Sequence, residues 1–237
     1  SYRISIIGTD FAGNTSDELI VQNITYDISP PEMVISHPKS DSFVNFLDVK
    51  YKVNEPLVSG QMIWINDKNE KFEYDLREND ILEGMHTLQN YDIETEEQIP
   101  YQILVTGLDR AGNESTSDTI HNVMFDVTPP TLTILNPLPA APINHTKVNL
   151  IISEPIKMGS IRWETAQGND PKSPHLKALS GEQLAGGEFA DFDFSSPPEL
   201  INGIQYNITI EGTDLAGNAS EPMSVKNVLY DTISPEF

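Results

Sequence analysis

The sequence contains no cysteine, so no disulfide braces it and no thiol can serve as nucleophile or soft-metal ligand. Cationic residues are scarce: 14 Lys and Arg stand against 36 Asp and Glu, a formal charge of −22. That balance excludes nucleic acid as a partner, because phosphates need a basic patch. No apolar run is long enough to cross a bilayer, so this segment is not expected to insert into a membrane. A secretion signal is expected to belong to a longer parent. Gly-rich phosphate loops and the Gly-x-Ser-x-Gly elbow are missing. The histidines His37, His86, His121, His145 and His175 lack the paired spacing of a zinc site, and they read as surface residues. No catalytic residue is assigned, and the chain does not read as an enzyme.

What is present is a hairpin that occurs three times. It reads YRISIIGTDFAGN (2–14) with NITYD (23–27), YQILVTGLDRAGN (101–113) with NVMFD (122–126), and YNITIEGTDLAGN (206–218) with NVLYD (227–231). Asp10 and Asp109 lie 99 residues apart and Asp109 and Asp214 lie 105 apart, and the closing Tyr26, Phe125 and Tyr230 keep the same spacings. The hairpin is therefore fixed in length, and its period is that of one small domain. Pro-Pro linkers at 28–32 and 127–131 separate the copies, and a third linker begins at 233. This divides the chain into residues 1–29, the last two strands of a truncated domain, and two full repeats at 30–129 and 130–237.

Within each full repeat, strict apolar alternation marks half-buried strands. Val49, Tyr51 and Val53 match Val148, Leu150 and Ile152, and Met62 and Trp64 match Ile161 and Trp163. The middle segments match weakly, Leu76, Ile81 and Gly84 against Leu179, Leu184 and Gly187; they predict short edge strands and a loop, with the extra residues near 167–175. A parity shift around Asn122, shared by Asn23 and Asn227, predicts a bulge. About seven short antiparallel strands per hundred residues predict an all-β fold of tandem immunoglobulin-like β-sandwiches. The Trp on the third strand and the Tyr opening the penultimate strand are features of that sandwich. Both tryptophans fall on the core parity, so they are read as core rather than as sugar-stacking platforms.

The order Glu-Pro, Gly-x-x-x-Trp, Asp-x-Ala-Gly-Asn, Tyr-Asp, Pro-Pro resembles the tandem bacterial immunoglobulin-like (Big-type) repeats of large cell-surface and adhesin proteins. The resemblance covers both full repeats and the leading hairpin. It implies an extracellular or cell-surface location and a structural role, as the stalk or filament of an adhesin, with neighbouring repeats of the parent chain as partners. A module binding a polysaccharide or a protein is the alternative, with the loop at 167–175 as its expected site. Strand edges left exposed by the leading hairpin would invite self-association.

In a sandwich the Glu-Pro loop, the hairpin turn and the start of the first strand share one end. Asp27, Glu55 and Asp109 should therefore converge at one domain junction, and Asp126, Glu154 and Asp214 at the next. Three carboxylates with backbone carbonyls and water suit calcium, a hard cation that takes six to eight oxygens. Calcium is the one cofactor expected, and it would stiffen the junctions along with the prolines. The competing reading of Asp109 and Asp214 is turn chemistry, in which each carboxylate accepts backbone N–H groups within its own hairpin.

Overall fold

The computed structural model describes residues 1–236 except Asn90, Asp92, Asp193 and Ser195, and leaves aside the side chains of Thr116, Ser117 and Phe192. Among these residues the regular structure is strand, apart from two short 3-10 turns at Glu78–Ile81 and Gly181–Ala185. The fold divides into two compact units, one holding Ser1–Asp41, Leu47–Thr95 and Ile99–Val123, the other Ser42–Phe46, Glu96–Gln98 and Met124–Phe237.

Eleven strands precede the second linker: β1 Tyr2–Ile6, β2 Leu19–Ile24, β3 Glu32–His37, β4 Phe43–Val44, β5 Val49–Val53, β6 Leu57–Ile65, β7 Lys71–Asp75, β8 Gly84–Leu88, β9 Pro100–Asp109, β10 Thr116–Ser117 and β11 Thr119–Phe125. They form the β1–β2 hairpin, a sheet ordered β10–β3–β5–β8, and a sheet ordered β4–β11–β9–β6–β7. Eight follow: β12 Leu132–Asn136, β13 Pro142–Ile143, β14 Val148–Ile152, β15 Ile156–Gln167, β16 His175–Ala178, β17 Gly187–Phe192, β18 Gln205–Asp214 and β19 Met223–Tyr230. Their sheets run β12–β14–β17 and β13–β19–β18–β15–β16. Long strands pair antiparallel; the two-residue strands β4, β10 and β13 pair parallel.

The alternation read from the sequence is the alternation of burial. Val49, Tyr51 and Val53 are fully buried while Lys50 and Lys52 face solvent. Cross-strand register stacks Trp64 against Ile103 and Met62 against Val105, and repeats this with Trp163 against Ile208 and Ile161 against Ile210. Both tryptophans have no exposed surface. Each fully buried side chain of this size contributes about 2 kcal/mol or more. Gly107 allows the close approach of β9 to the start of β6: a Cβ there would lie 2.6 Å from Leu57 Cδ1 and 3.0 Å from the Ser59 carbonyl oxygen.

The bulge expected at the closing strand is present in the first and last hairpins, and all three share its left-handed asparagine. Asn23, Asn122 and Asn227 adopt left-handed backbone with φ of 61°, 56° and 58°. The register slips opposite the first and last of them, between Tyr2 and Ile4 and between Tyr206 and Ile208. Asn tolerates that conformation better than other non-glycine residues. The leading hairpin differs in its surroundings. Tyr2, Ile4 and Ile6 are 62%, 50% and 58% exposed, whereas their counterparts Tyr101, Ile103 and Val105 are fully buried.

The middle segments hold edge strands, as the sequence predicts, each followed by a 3-10 turn and then β8 or β17. The weak match there has a structural basis. Leu76 and Leu179 are both buried, and each donates its backbone N–H to the carbonyl of the matched glycine, Gly60 or Gly159, at 2.8 Å.

Candidate functional site

The repeated turn is built by its own aspartate. Asp109 Oδ1 accepts the backbone N–H groups of Ala111 and Asn113 at 2.8 Å each, and Asn113 Nδ2 donates to Oδ2 at 2.7 Å. Asp10 does the same with Ala12 and Asn14, and Asp214 with Gly217 and Asn218. The turn chemistry weighed against a metal role is therefore real at every copy. It uses both lone pairs of Oδ1 but leaves one on Oδ2.

Beside each of the turn aspartates Asp109 and Asp214 two further carboxylates gather. Asp27, Glu55 and Asp109 each present an oxygen, and the three oxygens lie within 4.8 Å of one another; Asp126, Glu154 and Asp214 do the same. Each triad lies inside one compact unit. The linker aspartates arrive pre-oriented: Asp27 Oδ1 accepts the Ser29 N–H and Asp126 Oδ1 accepts the Thr128 N–H, both at 3.0 Å. Among the described residues no ion pair neutralises any of the six carboxylates.

The two surroundings differ. The first triad borders an open cleft of about 610 Å³ whose lining includes Asn23, Thr25 and Arg110. The second borders a smaller cleft of about 330 Å³ lined also by Phe43, Met124, Pro155 and Leu215. In that drier setting burial pushes the Asp126 carboxyl above its ordinary value, and the charges of Asp214 and Glu97 add to the rise against the Thr128 hydrogen bond. Glu154 is raised likewise, by burial first and then by repulsion from Asp126 and Asp214. Asp109 moves the other way: burial alone would raise it, but the hydrogen bonds from Asn113, Ala111 and Gly112 outweigh that and hold it low.

The donor set fits a hard divalent cation. All donors are oxygens, the ligand charge of three exceeds that of the ion, and one oxygen of each carboxylate comes within reach of the others. Three oxygens no more than 4.8 Å apart lie within 4.8/√3, about 2.8 Å, of a common centre, close to the 2.3–2.6 Å span of calcium–oxygen distances.

Asn113 and Asn218 escaped the sequence reading as site residues. Besides closing the turn, Asn218 Nδ2 donates to the Asp126 carbonyl at 2.8 Å, and Asn113 Nδ2 to the Asp27 carbonyl at 3.3 Å. Each asparagine thus ties the turn to the linker aspartate of its triad; its invariance across the three copies was the available signal. Gly186 was missed as well. Its φ is +79°, and a Cβ there would lie 2.6 Å from the Glu154 carbonyl carbon, so this glycine lets a neighbouring loop pack against the Glu-Pro backbone.

One histidine corrects the surface reading. The His175 side chain is only 9% exposed, and its Nε2 meets Asp170 Oδ2 at 2.7 Å. Tyr206 donates its hydroxyl to the same oxygen at 2.7 Å and accepts the Ile201 N–H, as a tyrosine corner does. Asp170 Oδ1 accepts the Lys172 N–H. The extra residues near 167–175 thus fold back onto the 130–237 repeat through a buried carboxylate. Their chemistry is invisible to repeat matching because the 30–129 repeat has no counterpart for the insertion.

No protein-family model matches the chain, and no curated protein matches it. Solved structures do. The chain is similar to the FN1–FN3 domains of chicken CNTN1, at 14% identity, covering 95% of this chain and 75% of that one with a TM-score of 0.38. It is similar to the fibronectin(III)-like modules of Clostridium thermocellum CbhA, at 14% identity over 84% of this chain and 95% of that one, TM-score 0.39. It is also similar to a tetra-tandem repeat in the extending region of a large adhesion protein, at 15% identity over 96% of this chain and 56% of that one, TM-score 0.36. No helix among the described residues is long and apolar enough to cross a membrane.

Proposed function

We propose that this chain is a structural repeat segment, the stalk or extender of a bacterial cell-surface or extracellular protein of the Big-type immunoglobulin-like kind, and that calcium at its two carboxylate triads rigidifies it. The observation that carries the reading is the duplication of the triad. The linker aspartate of one sequence repeat, Asp27 or Asp126, meets the Glu-Pro glutamate and the turn aspartate of the next repeat, and this happens at corresponding positions twice. A lone acidic cluster is common on so acidic a chain. A cluster that joins consecutive sequence repeats at each opportunity has an architectural logic, because repeat proteins draw stability from each unit and from its neighbour.

Asp27, Glu55 and Asp109 would hold one ion and Asp126, Glu154 and Asp214 the other. The ion would supply positive charge that offsets the mutual repulsion of its ligands, and the hydrogen bonds from Asn113, Asn218, Ser29 and Thr128 would keep those ligands oriented. The domain division at 30–129 and 130–237, with 1–29 completing an adjoining repeat, belongs to the same proposal. Isothermal titration of the metal-free chain with calcium tests it. The expected result is a stoichiometry of two ions per chain, falling to one in Glu154→Gln; no heat of binding would remove calcium from the account.

A further inference from the structure

Asn202 and Gly203 form the one Asn-Gly step in the sequence, and they sit in the turn that leads into β18. Both are exposed, Gly203 has a φ of +79°, and a Cβ on it would meet nothing within 4 Å. The turn holds the outgoing linker. Asn202 Oδ1 accepts the Thr232 N–H at 2.6 Å and the Thr232 hydroxyl at 3.0 Å. The Gly203 N–H donates to the Tyr230 carbonyl at 2.7 Å.

The 30–129 repeat builds the same clasp from other residues. Glu97 Oε2 accepts the Thr128 hydroxyl at 2.7 Å and the Val127 N–H at 3.4 Å, and the Gln98 N–H donates to the Phe125 carbonyl at 2.9 Å. Gln98 takes the left-handed backbone of Gly203, with φ 59°. The geometry is shared, and the chemistry is not. An asparagine side chain reaches the next backbone nitrogen in a five-membered ring, and a following glycine has no side chain to obstruct closure. Glu97 before Gln98 would need a larger ring and an ionised carboxylate as electrophile, so that position is inert.

We infer that Asn202–Gly203 is a site of spontaneous deamidation held shut by the linker, so that the modification marks repeats whose outgoing linker has come loose. In the reaction the Gly203 nitrogen loses its proton to solvent base and bonds to Asn202 Cγ. The Cγ–Nδ2 bond breaks, and the side-chain nitrogen takes a proton from water and leaves as ammonia. Water then opens the succinimide at either carbonyl, which gives aspartate or the backbone-lengthened isoaspartate. In the clasped state both reacting groups are engaged. The Gly203 proton is held on the Tyr230 carbonyl, and the Asn202 carboxamide is held on Thr232. Cyclisation needs the local opening that frees them, an event that costs less than global unfolding. The aspartate product is a carboxylate in the place that Glu97 fills in the other repeat. It keeps the acceptor and adds negative charge beside the linker that carries Asp231, as Glu97 adds its charge to burial in raising the Asp126 carboxyl. Neither triad supplies a group and no metal takes part, so the site goes beyond the calcium reading and does not depend on it.

Peptide mass mapping of the full chain, incubated at mildly alkaline pH with and without guanidinium, tests the site. In the unfolded chain residue 202 should gain the mass of an amide-to-acid exchange ahead of every other asparagine, and in the folded chain it should gain it more slowly. Thr232→Val deletes the hydroxyl donor and keeps the N–H. It should speed the folded-state reaction about fivefold, the shift in an opening equilibrium caused by losing one hydrogen bond, and leave the rate in guanidinium unchanged. Asn202→Gln should abolish the mass gain at this position. Equal rates in the folded and unfolded chain, or an unchanged folded-state rate in Thr232→Val, would overturn the linker gate. Earlier reaction at another asparagine of the unfolded chain would overturn the site.

Discussion

Trp163 and Trp64 occupy matched positions and meet different partners. Trp64 Nε1 donates to the Tyr91 hydroxyl at 3.1 Å, while the corresponding residue beside Trp163 is Phe194, packed edge-on at 5.2 Å between ring centroids. Trp163 Nε1 and Thr165 Oγ1 are the two buried side-chain polar atoms without a partner among the described residues. Phe194→Tyr should supply the missing acceptor and stabilise the chain by about 1 kcal/mol, seen as a rise in Tm; a fall would show that the ring cannot take the orientation Tyr91 does. Asp170 is a second residue-scale test. Burial alone would raise its carboxyl, but the hydrogen bonds from His175, Tyr206 and Lys172 outweigh this and hold it below the ordinary 3.8. A carboxylate with a depressed folded pKa contributes stability that is complete above its ordinary value and lost as pH falls through the folded one. Asp170→Asn should therefore cost about 1–3 kcal/mol near neutral pH, and the gap from the parent chain should close in acid below 3.8. Chemical denaturation at several pH values reads both. The core role of the tryptophans was legible because period-2 alternation carries burial directly. The partners of Trp163 and His175 were not, because they come from segments where the repeats differ in length.

Among the elements, the hairpin and its neighbouring strands were legible in the core-facing positions. The strands Val49–Val53 and Val148–Ile152 occupy the positions their alternation predicts, and Asn122 has left-handed backbone where its parity shift predicts a bulge. The short parallel strands β4 and β13 were not foreseen. Two residues are too few for any periodicity, and both strands follow a proline at which the chain leaves one sheet for the other. The loop entering β17 was equally obscure in sequence, yet it shapes the second triad through Gly186. A Cβ at this position would strike the Glu154 backbone, and φ is already left-handed. Gly186→Ala should thus destabilise the fold by about 1–3 kcal/mol. Because the displaced element carries Glu154, the variant should also lose affinity at one of the two proposed calcium sites and keep it at the other. Calorimetric titration would separate the two sites, and unaltered binding at both would show that the Glu-Pro loop is positioned by other contacts.

For the whole molecule, the convergence of Asp27 with Glu55 and Asp109, and of Asp126 with Glu154 and Asp214, was expected from which loops share one end of a sandwich. Sequence could not show that the turn aspartates would serve their own hairpins at the same time, nor that the second triad would be the drier one. That dryness sets the response to pH. Asp126 and Glu154 have carboxyls raised above their ordinary 3.8 and 4.5, so their ionised forms oppose folding above the raised values, and the penalty fades as pH falls through them toward the ordinary ones. A divalent cation would reverse the balance, since it favours the ionised forms. The most direct test is thermal unfolding near neutral pH of the parent chain and Glu154→Gln, each in calcium and in chelator. The account predicts that calcium at about a hundredfold over its dissociation constant stabilises the parent by about 2.7 kcal/mol per site, raising its Tm. It also predicts that Glu154→Gln melts higher than the parent in chelator, where one of three repelling charges is gone, and gains less from calcium. A parent chain whose Tm is the same in calcium and in chelator would contradict it.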